Sequence, residues 1–206
     1  KTAYFAGGEP LITEEHYILL EEMIRKNKTH VRLRYNTNMS NLRFKNKDLL
    51  GLWSKFDFPI DIFASIDHYG ERAEWLRKGT DWGKVESNLL TFRELDFISF
   101  QLNTVFSIFN YYTIGEFYQY LKDKGIIRRE DWYHSLYLAV HPSYYCAKSL
   151  PKHLKVEAAE KAKKWADANE GDGTSLSRLV NDAINFAAES DSWDDNKEMF
   201  LQHTRS

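Results

Sequence analysis

The residues of this sequence best placed to do chemistry are small polar groups at the ends of strand-like segments. Gly7-Gly8-Glu9-Pro10 follows the apolar run Ala3-Tyr4-Phe5-Ala6 and precedes a helical stretch. Two adjacent glycines let backbone approach a ligand closely, and Pro10 pre-sets the turn into the helix. Glu9 offers a carboxylate, with carbonyls beside it, to an ammonium group. A tetrapeptide is of modest specificity, and an ordinary βα turn accounts for it as well. Asn36-Thr37-Asn38 and Ser65-Ile66-Asp67 fall at two further strand ends, where binding groups of parallel α/β architectures collect. Asn, Ser and Asp are also common turn formers, but three polar strand ends at one rim fit a shared site better than three unrelated turns. Asp67 suits a ribose diol, since an acid at a strand end accepts hydrogen bonds from sugar hydroxyls.

Other groups carry less. Cys146 lies near His141 and His153 in sequence, which raises a thiol–imidazole pair, but a lone cysteine beside Tyr144-Tyr145 is more often a small buried hydrophobe. The seven histidines lack the paired spacing of a metal site. Glu71 and Glu74 read as a solvated helix face. Trp53, Trp75, Trp82, Trp132, Trp165 and Trp193 fall mainly in helical stretches and read as core. No catalytic residue and no metal ligand is assigned.

The elements that must position these groups follow from apolar period. Strands are expected over 3–6, 31–36, 60–67, 98–107 and 136–140. Helices are expected over 14–26 with Thr13 as N-cap, 47–55, 71–78, and 81–95 capped by Asp81. Thr113-Ile114-Gly115-Glu116 has capping-box spacing and opens a helix that stops at Gly125. Strands alternating with helices indicate parallel β/α units. Beyond Leu150 only helices are expected: 152–168 with Glu157–Lys161 and Glu160–Lys164 pairs, 175–189 with Leu176, Leu179, Val180, Ala183 and Ala187 on one face, and 192–202.

Alternation sorts the strand faces. Val31, Leu33 and Tyr35 oppose Arg32, Arg34 and Asn36; Ile60, Ile62, Ala64 and Ile66 oppose Asp61, Phe63, Ser65 and Asp67; Phe100, Leu102 and Thr104 oppose Ser99, Gln101 and Asn103. Strands buried on both faces should be apolar almost throughout. Here the polar face must line something wet or ligand-filled, or else face solvent in an open sheet. One-handed crossovers, which put all helices on one side of a closing barrel, favour the lined interior.

Composition narrows the function classes. With 28 basic and 30 acidic residues in 206, the net charge of −2 gives no reason to expect nucleic acid or a membrane surface. One cysteine excludes an internal disulfide and cannot by itself hold a zinc or iron–sulfur site. No stretch reaches the roughly 20 apolar residues of a membrane helix, and the start is not a signal peptide, so a cytoplasmic protein is expected. The missing initiator methionine suggests a piece of a longer chain.

Taken in order, these residues resemble the radical SAM superfamily, and within it proteins with a twitch or SPASM-like auxiliary-cluster region. Ala3-Tyr4-Phe5-Ala6-Gly7-Gly8-Glu9-Pro10-Leu11 looks like the second strand and GGEP motif, Tyr35-Asn36-Thr37-Asn38-Met39 is similar to the third strand, and Ala64-Ser65-Ile66-Asp67 looks like the ribose motif of the fourth. Gly70 to Trp82, followed by Asn88, resembles the next segment, and Leu102-Asn103-Thr104-Val105 with Asn110 resembles the fifth strand and its loop. The resemblance runs from about Ala3 to Pro151.

It implies an α/β fold, a partial (β/α)6 TIM-like barrel with strands two to six present and the first missing. Residues 1–150 would form this barrel and 151–206 an all-α C-terminal extension. S-adenosylmethionine (AdoMet) is the implied cofactor: Gly7, Gly8, Glu9 and Pro10 would hold its amino group, Ser65 and Asp67 would face the ribose, Arg77 would pair with the carboxylate, and the strands around Asn103 and Leu138 would flank adenine. Asn36 is carried over with the third-strand motif. The family reaction cleaves AdoMet reductively at a 4Fe-4S cluster and abstracts hydrogen from substrate. Here the substrate, peptide or small molecule, and the reductant are unidentified. The chain departs from the family in lacking the Cys-x3-Cys-x2-Cys loop and auxiliary-cluster cysteines. It is therefore expected to be a fragment, inactive alone, of a radical SAM enzyme; the alternatives are a non-catalytic AdoMet- or nucleoside-binding module and a partner-binding scaffold.

Overall fold

Apolar residues at every second position make the strands, and stretches of helical period between them supply the cover for the apolar face. The computed structural model describes residues 1–131 and 133–204; Trp132, expected in the core, and the terminal Arg205 and Ser206 lie outside the described residues. In chain order the elements are β1 (Thr2–Phe5), α1 (Glu14–Arg25), β2 (Arg32–Thr37), β3 (Arg43–Phe44), β4 (Lys47–Asp48), α2 (Leu49–Trp53), β5 (Ile60–Ser65), α3 (Gly70–Leu76), α4 (Trp82–Arg93), β6 (Ile98–Phe106), α5 (Ile114–Asp123), β7 (Ser135–Leu138), α6 (Lys152–Ala168), α7 (Leu176–Ala188) and α8 (Trp193–Thr204).

The five long strands form one sheet in the order β1-β2-β5-β6-β7. The β1–β2, β2–β5 and β6–β7 ladders are parallel, which requires the helical crossovers between them. The α/β class and the all-helical stretch after Pro151 agree with the sequence reading. No ladder joins β1 to β7 among the described residues. The helix expected over 47–55 begins only at Leu49, because Lys45-Asn46 makes a two-residue hairpin turn, with Lys45 at φ +55°, that pairs β3 with β4.

The chain divides into two compact units, Lys1–Ile66 with Gly70–Leu102, and Asp67–Tyr69 with the residues from Asn103 onward; β6 is shared between them. In the first unit, Leu33, Tyr35 and Thr37 of β2 are buried while Arg32 and Arg34 are exposed. An aromatic chain runs through its core, with Phe5 stacked on Tyr35 at 4.7 Å, Tyr35 against Trp53 at 4.9 Å and Trp53 against Phe92 at 5.7 Å. His16 sits among these rings, its Nε2 bonded to the Tyr35 hydroxyl at 2.9 Å. Trp82 is also buried, but Trp75 is 61% exposed and is no part of a core.

In the second unit, α5 buries Ile114, Phe117, Tyr118 and Leu121. The polar helix α6 answers with the alanine row Ala158, Ala162 and Ala166, and α7 buries Leu176, Val180, Ala183 and Ala187 of its expected face. Two expected surface devices are replaced by tertiary contacts. Thr113 makes no side-chain cap, because its hydroxyl is bonded to His68 Nε2 at 2.9 Å. Lys161 lies over the Tyr112 ring at 3.9 Å, and the Tyr112 hydroxyl donates to Glu157, so both helix residues turn to Tyr112. Asp81 does cap α4, accepting from Lys84 N at 3.1 Å. No helix among the described residues is long and apolar enough to cross a membrane.

Two outcomes follow from this packing. Burial pulls the His16 imidazole down to about 4, so the folded core holds it neutral while the unfolded chain protonates near 6.5. Its contribution is complete above about pH 6.5 and is lost as pH falls toward 4; urea unfolding should show roughly 2 kcal/mol less stability at about pH 5 than at about pH 7.5 from this group, and His16→Phe should flatten that interval. At Gly115, an added Cβ would lie 2.6 Å from the Trp165 Cβ. Gly115→Ala should therefore cost about 1–3 kcal/mol through forced separation of α5 and α6, measured as a lower thermal midpoint.

Candidate functional site

The turn after β1 is made by Gly7 and Gly8 at φ +85° and +59°, where a side chain would be strained. A Cβ on either would meet nothing within 4 Å, so these glycines are required by backbone conformation and leave open space over their peptide groups. Glu9 follows in extended conformation and caps the short 3-10 turn Pro10–Ile12. Its Oε1 accepts from Leu11 N at 3.1 Å and from Thr37 Oγ1 at 2.8 Å, and its Oε2 accepts from Asn38 N at 2.8 Å. A carboxylate offers about four acceptor positions. Three are filled from the protein, leaving capacity for one more donor.

The arrangement is held from below. Leu11 is fully buried, and its carbonyl accepts from the Tyr17 hydroxyl at 2.8 Å. Burial, reinforced by the Glu9 and Asp48 carboxylates, pushes the Tyr17 phenol up to about 12, so it remains a donor at any ordinary pH. The Thr13 hydroxyl, expected to cap α1, donates instead to the Glu9 carbonyl at 3.1 Å.

Across from Glu9, the loop after β2 is unusually constrained. Met39 is fully buried with φ +64°, a conformation costing a non-glycine residue of order 1–3 kcal/mol. Its N–H donates to Thr37 Oγ1 at 3.0 Å, and its carbonyl accepts from Asn88 Nδ2 at 2.7 Å. Ser40 N donates to Asn38 Oδ1 at 2.9 Å. Beside this loop lies a cleft of about 340 Å³ lined by Asn38, Ser40, Asn41, Arg77, Asp81 and Lys84. Arg77 thus shares a wall with Asn38, whose amide is bound to Glu9. Lys78 also lines the cleft, so Arg77, Lys78, Lys84 and Asp81 are its charged groups, and Glu9 stands on the neighbouring turn outside its lining.

Of the expected site residues, Gly7, Gly8, Glu9, Pro10, Asn36, Ser65 and Arg77 belong to this unit. Asn36 is half-buried in register with Phe63, and Ser65 is half-buried at the end of β5. Thr37, Asn38 and Asn88 emerge as the organising residues. The signal for Thr37 and Asn38 lies in the sequence: Asn38-x-Ser40 is an Asx-turn spacing, and Thr37 is the last inward position of β2.

Asp67 and Asn103 belong to the second unit. Asp67 Oδ1 accepts from Val105 N at 2.8 Å. Asn110, fully buried, donates through Nδ2 to the carbonyls of Asp67 at 3.0 Å and Val105 at 2.8 Å, and accepts from Ser107 N at 2.9 Å. Asp67 is thereby fixed by backbone and side chain together. Asn103 is 8% exposed and pairs in register with Ser135 at the start of β7.

The residues present do not fit an iron–sulfur cluster. Such clusters are held by thiolates; Cys146 is the sequence's single cysteine and is buried, and no group of three or more His, Cys, Asp or Glu among the described residues could hold a metal ion.

No family model matches the sequence, and no curated protein does. Among solved structures, native anSMEcpe with bound AdoMet is similar at a TM-score of 0.57 and 19% identity, over 84% of this chain and 48% of that one. Native anSMEcpe with bound AdoMet and Cp18Cys peptide is similar at 0.56 and 18%, with the same coverage. The chain therefore spans about half the length of the solved structures it matches. The likeness is one of fold.

The Met39 conformation generates a test. Asn88→Ala strands a buried carbonyl and should lower stability by about 1–3 kcal/mol in urea unfolding. Asn88→Asp, which cannot donate, should do the same.

Proposed function

We propose that this chain is the AdoMet-binding part of a radical SAM enzyme, with Glu9 and its clamped turn holding the amino group of the cofactor. The observation that carries the reading is the Glu9 carboxylate, fixed by three donors yet with acceptor capacity left, at a turn whose glycines leave their backbone uncovered. The fold likeness to AdoMet-bound anSMEcpe supports it. In this reading Gly7, Gly8 and Pro10 shape the turn, Arg77 draws the cofactor carboxylate, Ser65 and Asp67 accept from the ribose, Asn36 contributes from the polar face of β2, and Asn103 flanks the adenine. Residues 1–150 act as a partial barrel, with 151–206 as a helical extension.

When bound, AdoMet in a parent enzyme supplies hydrogen abstraction, driven by a reductant through a 4Fe-4S cluster. The ligands for that cluster are not in this sequence, so the chain by itself binds without turnover. A peptide is one substrate class in keeping with this reading, since one similar structure is of anSMEcpe with bound AdoMet and Cp18Cys peptide.

Calorimetric titration of the 206-residue chain with AdoMet and with 5′-methylthioadenosine, which lacks the amino-acid group, tests the assignment. AdoMet should bind at least about tenfold more tightly, and Glu9→Gln, checked for folding by circular dichroism, should erase the preference. Equal affinity in the unaltered chain overturns the role of Glu9, and no binding of either overturns the cofactor. Release of 5′-deoxyadenosine by the chain alone, after iron–sulfur reconstitution and reduction, would contradict the expected inactivity.

A second reading is favoured by the same lack of thiolates: a non-catalytic AdoMet- or nucleoside-binding module. It predicts the same titration but no gain of turnover when cluster-bearing segments are supplied.

A further inference from the structure

The polar face of the first unit carries a charged group that the cofactor reading leaves unused. Along β1, β2 and β5 the register places Tyr4, Arg34 and Asp61 in one row, with Arg32 one step earlier on the same face. The Asp61 side chain is 7% exposed and accepts from Arg32 through Nε and Nη2, both at 2.8 Å, and from Arg34 through Nε at 2.9 Å. One buried acid is thus answered by two guanidinium groups. The cluster keeps a net charge of +1 on a face otherwise uncharged in these rows.

Arg34 is the group with capacity to spare. Its Nε is committed to Asp61, and its guanidinium lies over the Phe63 ring at 5.6 Å. Among the described residues, none accepts from its two terminal amino groups. The side chain is 46% exposed, so those amino groups are reachable. Asp61 and Phe63 fix the plane of the guanidinium, so little side-chain entropy remains to be lost when a ligand binds. Beside it in the row stands Tyr4, 58% exposed, about 4.8 Å away in the hydrogen-bonding direction, offering ring surface and a phenolic donor.

We propose that this face is a binding site for a monoanionic carboxylate attached to an apolar group, with Arg34 as the recognition residue and Tyr4 covering the apolar part. Planar bidentate pairing is the geometry in which a guanidinium binds a carboxylate. Charge selects carboxylate over phosphate: a residual +1 neutralises one negative charge, while a phosphate dianion would leave excess negative charge beside buried Asp61. The site lies on the same strand as the Glu9-bound loop, three residues or roughly 10 Å before Thr37. If AdoMet occupies the Glu9 turn, this spacing puts a carboxylate-anchored substrate on the face adjoining it; that clause rests on the proposed function, whereas the carboxylate site does not.

The test uses the 206-residue chain without AdoMet, at low ionic strength, titrated with N-acetyl-phenylalanine, its neutral amide, N-acetyl-glutamate α-amide and inorganic phosphate, and read by NMR shifts of Arg and Tyr side chains. N-acetyl-phenylalanine should bind at least about tenfold more tightly than the amide. Arg34→Lys, which keeps the charge beside Asp61 but loses the fork, should cost about tenfold, and Tyr4→Ala several-fold. Tighter binding of the phenylalanine acid points to a chain-terminal carboxylate, and tighter binding of the glutamate derivative to a side-chain carboxylate; either supports the site. Equal binding of acid and amide, undiminished affinity in Arg34→Lys, or preference for phosphate overturns it. Because the acid–amide contrast is made on the unaltered chain, the outcome does not hang on variant folding, and because AdoMet is absent, it is separable from failure of the cofactor assignment.

Discussion

A single carboxylate organises the ligand-facing end of the first unit. Glu9 ties its own turn, through Leu11 N, to the loop after β2, through Thr37 and Asn38. Neither segment has regular structure of its own to satisfy these groups, and buried or half-buried backbone donors must be paired. Charge-assisted bonds from an ionised acceptor are roughly twice as strong as neutral ones. Glu9 therefore shapes the turn and the loop together, and any ligand held there meets a carboxylate already fixed in direction.

The support beneath it is graded by burial. Leu11 and Tyr17 are fully buried, and Tyr35 and Trp53 continue the packing behind them. The second unit shows a parallel device in Asn110, whose side-chain amide joins the segment at Asp67 to Val105 on β6. In both units the residue that fixes the loop is an internal acid or amide rather than a surface ion pair. This agrees with the small energies that exposed pairs supply.

Much of this was legible from residue order. The period-2 alternation of β2 and β5 named the buried faces, because burial on one side leaves a strong pattern. The helix ends marked by Asp81 and Gly125 also held. The losses have a common cause. Thr13 and Thr113 have the chemistry of caps, but each hydroxyl finds a partner distant in sequence or on another turn, and local spacing cannot register a competing tertiary partner. Glu157 and Lys161 likewise abandon each other for Tyr112. The hairpin at Lys45-Asn46 was hidden because its strands are two residues each, below the length at which a period can be detected. At the candidate site, the motif residues were visible, but Asn88 was not assignable: its role depends on the carbonyl direction at Met39, which only the folded backbone defines.

That direction has a consequence for how the sequence can drift. A glycine at position 39 would take φ +64° without penalty, but would give up a fully buried methionine side chain worth roughly 1.5–3 kcal/mol. The strain of keeping a side chain there is of similar size, so position 39 sits near break-even between two residue types. The bond from Asn88 to the Met39 carbonyl does not distinguish the two, since a glycine there presents the same backbone oxygen. Position 39 can therefore pass between methionine and glycine at little net cost, while position 88 must keep a donor for that carbonyl in either case.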